Sequence, residues 1–95
     1  MPATIDAPAP ELDDSETTER DGWVVIVLDN PTNTFDQVIR ILQLATGCSL
    51  EEAEMETWEV HHLGRSFVHH GSQSECERAA AIIRRIGIDV QVEQV

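Results

Sequence analysis

Polar side chains that could bind a ligand are concentrated near the start of the chain, in Leu28-Asp29-Asn30-Pro31-Thr32-Asn33-Thr34-Phe35. This segment brings a carboxylate, two side-chain amides and two hydroxyls into one short stretch. Such residues also form ordinary turns, and a threonine before a helix often caps it, so a plain connecting role is the alternative. Because binding groups concentrate in loops that rigid elements hold in place, the segment is the first candidate site.

The elements on either side of this segment would fix its position. Trp23–Leu28 is continuously apolar, which predicts a strand that is central in a sheet or covered on both faces. Phe35–Ala45 carries apolar residues at three- and four-residue spacing, which predicts a helix packed on a sheet. Thr34 with Gln37 predicts a capping box at its start, and Gly47 predicts its end. The candidate loop therefore joins a strand to a helix.

The remainder of the chain predicts two more helices and two more strands. In chain order these are a helix from Leu50 to His61 or His62, a strand over Arg65–His70, a helix over Gln73–Ile86 and a strand over Ile88–Glu93. Ser49 and Ser72, each with a glutamate three residues later, predict capping boxes for both helices. The order β-α-α-β-α-β predicts an α+β fold, with a three-stranded, mostly antiparallel sheet and three helices packed on one face.

Composition limits the possible partners. The chain has 95 residues, enough for one small domain, and a formal net charge of −12. This charge argues against nucleic acid and anionic membranes, and permits a basic partner or a cationic ligand. Residues 1–21 hold three of the four prolines and seven carboxylates, which predicts a disordered acidic extension before a folded domain over residues 22–95. Neither a signal peptide nor a membrane-spanning stretch is recognised, so a cytoplasmic protein is expected.

Histidines and cysteines raise metal binding as an alternative. The residues concerned are His61-His62, His69-His70, Cys48 and Cys76. Neighbouring side chains on a helix or a strand point in different directions, so neither histidine pair could chelate a metal by itself. One histidine from each pair and a cysteine could do so, but no paired motif supports it, and neither a metal nor a cofactor is predicted. Because no catalytic motif stands out, an enzyme is not predicted.

Two motifs carry a family resemblance. Asp29 to Asp36 follows a known loop sequence, Asn-Asp-Pro-Val-Asn-Thr-Met-Glu, with its first two residues exchanged. Val60 to Arg65 is similar to Val-His-Tyr-x-Gly-Lys, and His61 follows Asp29 by 32 residues, the interval expected. With these motifs, residues 22–95 resemble the ClpS family, bacterial adaptors that deliver N-degron substrates to an AAA+ Clp unfoldase.

The resemblance implies a pocket for the first residue of a substrate protein. Its α-amino group would be held by Asp29, Asn30 and His61, because an ammonium group has three donors and needs acceptors around it. The loop and an apolar pocket would surround its side chain, through Pro31, Thr32, Asn33, Thr34, Phe35, Val38, Thr57, Val60 and Ile88. Bulky hydrophobic first residues (Leu, Phe, Tyr and Trp) are expected, with Leu and Phe favoured. Because Phe35 and Thr57 stand where the family carries methionines, Ile and Val also remain open.

The resemblance also implies how the substrate would be delivered. The AAA+ Clp unfoldase would dock at Glu75 and Arg78 on the third helix, and its pore would engage the acidic extension. The adaptor is expected to be a monomer. The alternative from another class is a protein-interaction domain of the same fold without an N-terminus pocket, as in the similar C-terminal domain of the ribosomal stalk protein.

Overall fold

The fold is described for residues 22–95 by a computed structural model, so the predicted extension over residues 1–21 lies outside the described residues. Three strands and three α-helices follow one another in the predicted order β-α-α-β-α-β, which is confirmed. They are β1 (Trp23–Leu28), α1 (Phe35–Thr46), α2 (Leu50–Leu63), β2 (Arg65–Gly71), α3 (Gln73–Ile83) and β3 (Val90–Gln94). A single turn of 3-10 helix, Arg84–Ile86, continues α3.

The apolar strand β1 occupies the centre of the sheet, whose order is β2-β1-β3. Both neighbours pair with β1 in antiparallel orientation. Val25 and Val27 belong to the core, whereas Val24 and Ile26 alternate with them along the strand. All four are almost fully buried, because the central strand has a neighbouring strand along each of its edges. A bulge shifts the pairing with β2 between Val25 and Ile26, which accounts for the imperfect alternation in β2.

The hydrophobic core lies between the sheet and the three helices, and every strand and α-helix contributes to it. The largest side chains with almost no exposed surface are Ile26, Leu42, Ile83, Val25, Val27, Val38, Val60, Thr57 and Cys76. Burying one such aliphatic side chain contributes about 1.5–3 kcal/mol. The three helices thus cover one face of the sheet and hold the loop after β1 in a fixed position.

The helix caps differ in part from the prediction. Thr34 forms the complete capping box, with its Oγ1 accepting from the backbone amide of the third helical residue at 3.2 Å. Ser49 and Ser72 accept the equivalent bond, but the return bond from the glutamate is not formed. At Ser72 the glutamate is Glu75, whose carboxylate lies 3.7 Å from His69 Nε2 instead. Two of the three predicted capping boxes are therefore single caps.

The connection between α3 and β3 also departs from the prediction. The helix predicted to reach Ile86 is α-helical only to Ile83, and the chain then tightens into a 3-10 turn that ends at Gly87 with a φ of 83°. Apolar spacing could not reveal this change, because both helix types are right-handed and place similar positions inside. The last strand begins at Val90, two residues late, although the carbonyl of Asp89 already accepts from the Leu28 amide at 3.0 Å.

Candidate functional site

The loop between β1 and α1 is held by two of its own asparagines. Asn30 Oδ1 accepts from the backbone amide of Asn33 at 3.1 Å, and Asn30 Nδ2 donates to Asn33 Oδ1 at 2.7 Å. Asn33 Nδ2 also donates to the carbonyl of Ile86 at 2.7 Å, and Asn30 Nδ2 to that of Gly87 at 3.3 Å. The 3-10 turn thus supplies the acceptors that fix the loop, and both asparagines shape it.

Asp29 lies where the loop meets the C-terminal end of α2. Its backbone amide donates to the carbonyl of Gly64 at 3.0 Å, and Gly64 ends α2 with a φ of 93°. The Asp29 side chain is exposed, and within residues 22–95 no side chain donates a hydrogen bond to its carboxylate. The Asp29 carboxylate is therefore accessible to a ligand at the end of the helix that carries His61.

His61 is half-buried near the end of α2, and one of its ring nitrogens is already used. Its Nδ1 lies 3.1 Å from the carbonyl oxygen of Thr57. Because a carbonyl oxygen can only accept, Nδ1 carries the proton of this hydrogen bond, which in the neutral tautomer leaves the lone pair on Nε2. The neutral form of His61 can therefore accept a hydrogen bond at Nε2.

The first residue of α1 reaches this histidine. The rings of Phe35 and His61 have centroids 5.0 Å apart and are tilted by 48°. Phe35 remains 38% exposed, so its ring lies at the rim between the loop and α2. The structure thus brings the two predicted motifs together at two points, Phe35 with His61 and Asp29 with Gly64.

The predicted side-chain pocket is closed in this structure. Val38, Thr57, Val60 and Ile88 have between 0% and 3% of their surface exposed and lie within the domain interior. The hydroxyl of Thr57 donates to the carbonyl of Ala53 at 2.7 Å, so only its methyl group remains for apolar contacts. These four residues lie in the interior, so a ligand would reach them only if a covering group moved.

The remaining predicted residues lie at the surface. Pro31 and Thr32 are exposed in the loop, and Thr34 is occupied as the cap of α1. Glu75 and Arg78 are both exposed on α3, away from core positions. All of these are accessible to a partner except for the hydroxyl of Thr34.

Some contributors to the site were not predicted as such. Gly64, Ile86 and Gly87 were not among the predicted site residues, yet their carbonyls hold Asp29, Asn33 and Asn30 in place. No local sequence pattern indicates these bonds, because the partners lie 35 to 57 residues apart in the chain and meet only after folding.

Glu56 is a further residue with an unusual environment that the sequence did not predict. It is only 6% exposed, and its Oε1 has no hydrogen-bond partner. Burial, reinforced by the charges of Glu52 and Glu59, raises the pKa of Glu56 from 4.5 to about 7. A signal was present, because Glu56 lies three residues after Ala53 and four before Val60, on the face that packs against the sheet.

Within residues 22–95, no group of three or more His, Cys, Asp or Glu side chains is arranged to hold a metal ion. Cys48 and Cys76 are both free thiols. In the same part of the chain, no helix has the length and apolar character needed to cross a membrane.

Comparison with known proteins relates this fold to a family of protease adaptors. The family model described as "ATP-dependent Clp protease adaptor protein ClpS" matches residues 18–90. The ClpS adapter protein of Streptomyces avermitilis is 30% identical over 99 residues, which cover 95% of this chain and 94% of the relative. That of Streptomyces coelicolor is 33% identical over 72 residues, covering 76% of this chain and 75% of the relative.

A solved structure shares the fold. It is that of Agrobacterium tumefaciens ClpS2 bound to L-phenylalaninamide, which matches with a TM-score of 0.73 and 16% identity over 80% of this chain and all of that chain. Fold and sequence together define an adaptor of an ATP-dependent protease. The chain belongs to the ClpS family. Because ClpS proteins are adaptors, the prediction that this chain is not an enzyme is confirmed.

Proposed function

We propose that this protein binds the free N-terminal residue of substrate proteins and delivers them to an AAA+ Clp unfoldase. The observation that carries the proposal is the hydrogen bond between His61 Nδ1 and the Thr57 carbonyl, because in the neutral imidazole it leaves Nε2 free to accept from a ligand. This acceptor lies on the helix whose end contacts Asp29, and beside Phe35. A carboxylate, an imidazole acceptor and an aromatic ring are what a hydrophobic residue with a free amino group requires.

The amino group of the substrate would be bound through its charge and its three donors. The exposed Asp29 carboxylate supplies the opposite charge, and His61 Nε2 supplies a neutral acceptor. Asn30 Oδ1 already accepts from the Asn33 amide, but a carbonyl oxygen has a second lone pair for the ligand. A charge-assisted hydrogen bond contributes about 1.5–3 kcal/mol, enough to distinguish a free N-terminus from an acetylated one.

The side chain of the first residue would enter beneath Phe35. Turning the Phe35 ring away from His61 would be the step that gives the ligand access to the buried residues Val38, Thr57, Val60 and Ile88. Burying a leucine or phenylalanine side chain there adds about 1.5–3 kcal/mol, which with the ammonium contacts gives micromolar affinity. We expect a preference for Leu, Phe, Tyr and Trp, and the phenylalaninamide in the Agrobacterium ClpS2 structure supports Phe among them.

Delivery would use the opposite end of the molecule. Glu75 and Arg78 are exposed on α3 and offer one charge of each sign to the unfoldase. The protein would act in the cytoplasm as a monomer that transfers its substrate without chemical change. A transient, micromolar complex suits this role, because the adaptor must release what it delivers.

A pair of peptides tests the proposal. One begins with a free leucine, and its twin is identical except for an N-terminal acetyl group. Fluorescence anisotropy should show micromolar binding of the free peptide and at least about tenfold weaker binding of the acetylated one. Equal affinity for both peptides would contradict the proposal that this protein binds the free N-terminal residue of its substrates.

The closed pocket favours one competing function. Val38, Thr57, Val60 and Ile88 have almost no exposed surface. A protein-interaction domain of the same fold would bind through its outer surface without rearrangement, whereas the proposed adaptor would have to move Phe35. A panel of peptides that differ only in the first residue separates the two. The adaptor distinguishes leucine and phenylalanine from glycine and aspartate, and an interaction domain without a pocket treats all of them alike.

A further inference from the structure

A single arginine braces the segment between α3 and β3, which comprises residues 84–90 and is called the α3–β3 segment below. Arg84 Nη2 donates to the carbonyl of Val90, the first residue of β3, at 2.8 Å. The carbonyl of Arg84 also accepts from the backbone amide of Gly87 at 2.9 Å. Because a guanidinium is charged, its hydrogen bond to a carbonyl is stronger than a bond between neutral groups. Arg84 therefore ties the 3-10 turn to the start of the last strand.

The carbonyls of the α3–β3 segment hold both asparagines of the candidate loop. Asn33 Nδ2 donates to the carbonyl of Ile86 at 2.7 Å, and Asn30 Nδ2 donates to that of Gly87 at 3.3 Å. Within residues 22–95, the other hydrogen bonds of these two side chains stay inside the loop or go to α1. The orientation of both asparagines relative to the rest of the domain therefore depends on where the two carbonyls lie.

The next two residues of the α3–β3 segment also belong to the surroundings of the site. The carbonyl of Asp89 accepts from the backbone amide of Leu28, the last residue of β1, at 3.0 Å. Ile88 is 3% exposed and is one of the residues predicted to line the pocket. Residues 86–89 thus each contribute either an acceptor or a buried side chain, and the bond from Arg84 to Val90 encloses all four.

The middle of the α3–β3 segment has little else to fix its shape. Ile83 and Ile88 are buried and anchor it on either side, but Gly87 between them is exposed. The hydrogen bonds of a 3-10 turn are poorly aligned, and Gly87, with a φ of 83°, has the conformational freedom of glycine. The bond from the Arg84 side chain is therefore the contact that limits movement of this turn.

We propose that Arg84 is a positioning residue of the N-terminus site, because its bond to Val90 fixes the two carbonyls that orient Asn30 and Asn33. Asn30 Oδ1 is one of the acceptors proposed for the ammonium group of the substrate. A displaced Asn30 therefore weakens binding, although Arg84 itself does not touch the substrate. This inference rests on the proposed function and adds to it a residue that acts through the loop.

The affinities of matched variants test this role in the full chain. Arg84→Met removes the donors and should weaken binding of a peptide with a free N-terminal leucine at least about threefold, measured by fluorescence anisotropy. Loss of a positive charge would by itself favour binding of an ammonium group, so charge cannot account for a weakening. Arg84→Lys restores a cationic donor and should bind the peptide more tightly than Arg84→Met.

The control removes the same charge from the neighbouring residue. Arg85 is exposed and, within residues 22–95, its side chain makes neither a hydrogen bond nor an ion pair. Arg85→Met should therefore leave the affinity within about twofold of the original. Equal affinities for Arg84→Met and Arg85→Met would overturn the inference.

Side-chain amide signals separate this inference from N-terminus binding itself. In the ¹⁵N-labelled full chain without peptide, the side-chain amide signals of Asn30 and Asn33 should shift in Arg84→Met and stay in place in Arg85→Met. Spectra recorded well below the unfolding temperature exclude a loss of stability as the cause. Unchanged signals in Arg84→Met would overturn the inference. If the signals shift but the original protein binds free and acetylated peptides equally, the proposed function fails and positioning of the loop by Arg84 stands.

Discussion

At the scale of single residues, the neighbours His61 and His62 show that position decides what an imidazole can do. Both rings have Nδ1 close to the carbonyl four residues earlier, at 3.1 Å from Thr57 and 3.0 Å from Trp58. His62 is exposed and stacks on Trp58, with ring centroids 4.5 Å apart. His61 instead is half-buried against Phe35. The same residue type therefore serves the proposed pocket at one position and the outer surface at the next.

Replacing these histidines gives a matched pair. We expect His61→Ala to weaken binding of a peptide with a free N-terminal leucine by about tenfold or more, because one acceptor for the ammonium is lost. His62→Ala should leave the affinity within about twofold, since His62 points to solvent on the outer face of α2. Fluorescence anisotropy with both variants measures the difference. Equal affinities for the two variants would show that His61 does not contact the ligand.

Glu56 predicts a pH dependence of stability. Its pKa is raised to about 7 in the folded protein, against 4.5 as the ordinary value. Between these values the folded state holds the proton more tightly than the unfolded state, so the free energy of unfolding falls as pH rises and levels off above about 7. The shift corresponds to roughly 3 kcal/mol. Glu56→Gln should remove this contribution and be relatively more stable than the original at pH above 7.

Urea unfolding of both proteins at acidic and alkaline pH measures this effect. The difference in unfolding free energy between Glu56→Gln and the original protein should grow in favour of the variant as pH rises. Glu54→Gln is the control, because Glu54 is exposed on the same helix and should give a nearly constant difference. A difference for Glu56→Gln that is equally constant would mean that Glu56 does not titrate abnormally.

At the scale of elements, the loop after β1 depends on the turn before β3. Asn33 connects the loop to Ile86, and the capping box of Thr34 continues directly into α1. The Gln37 side chain joins both, because it accepts from Asn33 Nδ2 at 3.1 Å and from the Thr34 amide at 3.0 Å. The start of α1 and the candidate site are therefore one hydrogen-bonded unit.

Two threonines in this loop offer a test of that unit. Thr34→Ala removes the cap of α1 and should cost about 1 kcal/mol of stability, or roughly 4–8 °C in Tm for a small domain. Thr32→Ala changes the same residue type at an exposed position two residues earlier, and should change Tm by less than about 2 °C. Thermal unfolding followed by circular dichroism measures both. Similar losses in the two variants would contradict the capping role.

At the scale of the whole molecule, the two cysteines report on how completely the core is closed. Cys76 has no exposed surface, and burial together with the charges of Glu75 and Glu77 raises the pKa of its thiol. Cys48 is only partly buried, after the end of α1. Since the thiolate is the reactive form, Cys76 is protected both by packing and by protonation.

A thiol reagent should therefore modify the two cysteines at different rates. With Ellman's reagent on the native protein, we expect fast reaction of Cys48 and reaction of Cys76 only when the domain opens. Cys48→Ser should leave only the slow phase, and addition of urea should make both thiols react fast. Two fast phases in the native protein would mean that the core between α3 and the sheet is looser than described.

The sequence alone determined the elements and the two motifs. Continuous apolar character defined β1 as the central strand, and Thr34, Ser49 and Ser72 marked the start of each helix at the observed residue. These features are readable because periodicity and capping depend on residues within one helical turn or one strand. Membership of the ClpS family followed from the loop and the Val60–Arg65 motif, and the comparisons confirmed it.

Tertiary structure decided how the loop is held and which groups of the site are accessible to a ligand. Residues far apart in the chain are joined by the hydrogen bonds from Asn30 and Asn33 to the 3-10 turn and by the contact of Phe35 with His61. The burial of Glu56, and the groove lined by Glu59, Leu63, Arg65, Ser66 and Phe67, likewise exist only once α2 packs beside β2. Local patterns cannot specify such features, because hydrogen-bond partners, exposure and pKa depend on which distant groups the packed core brings together.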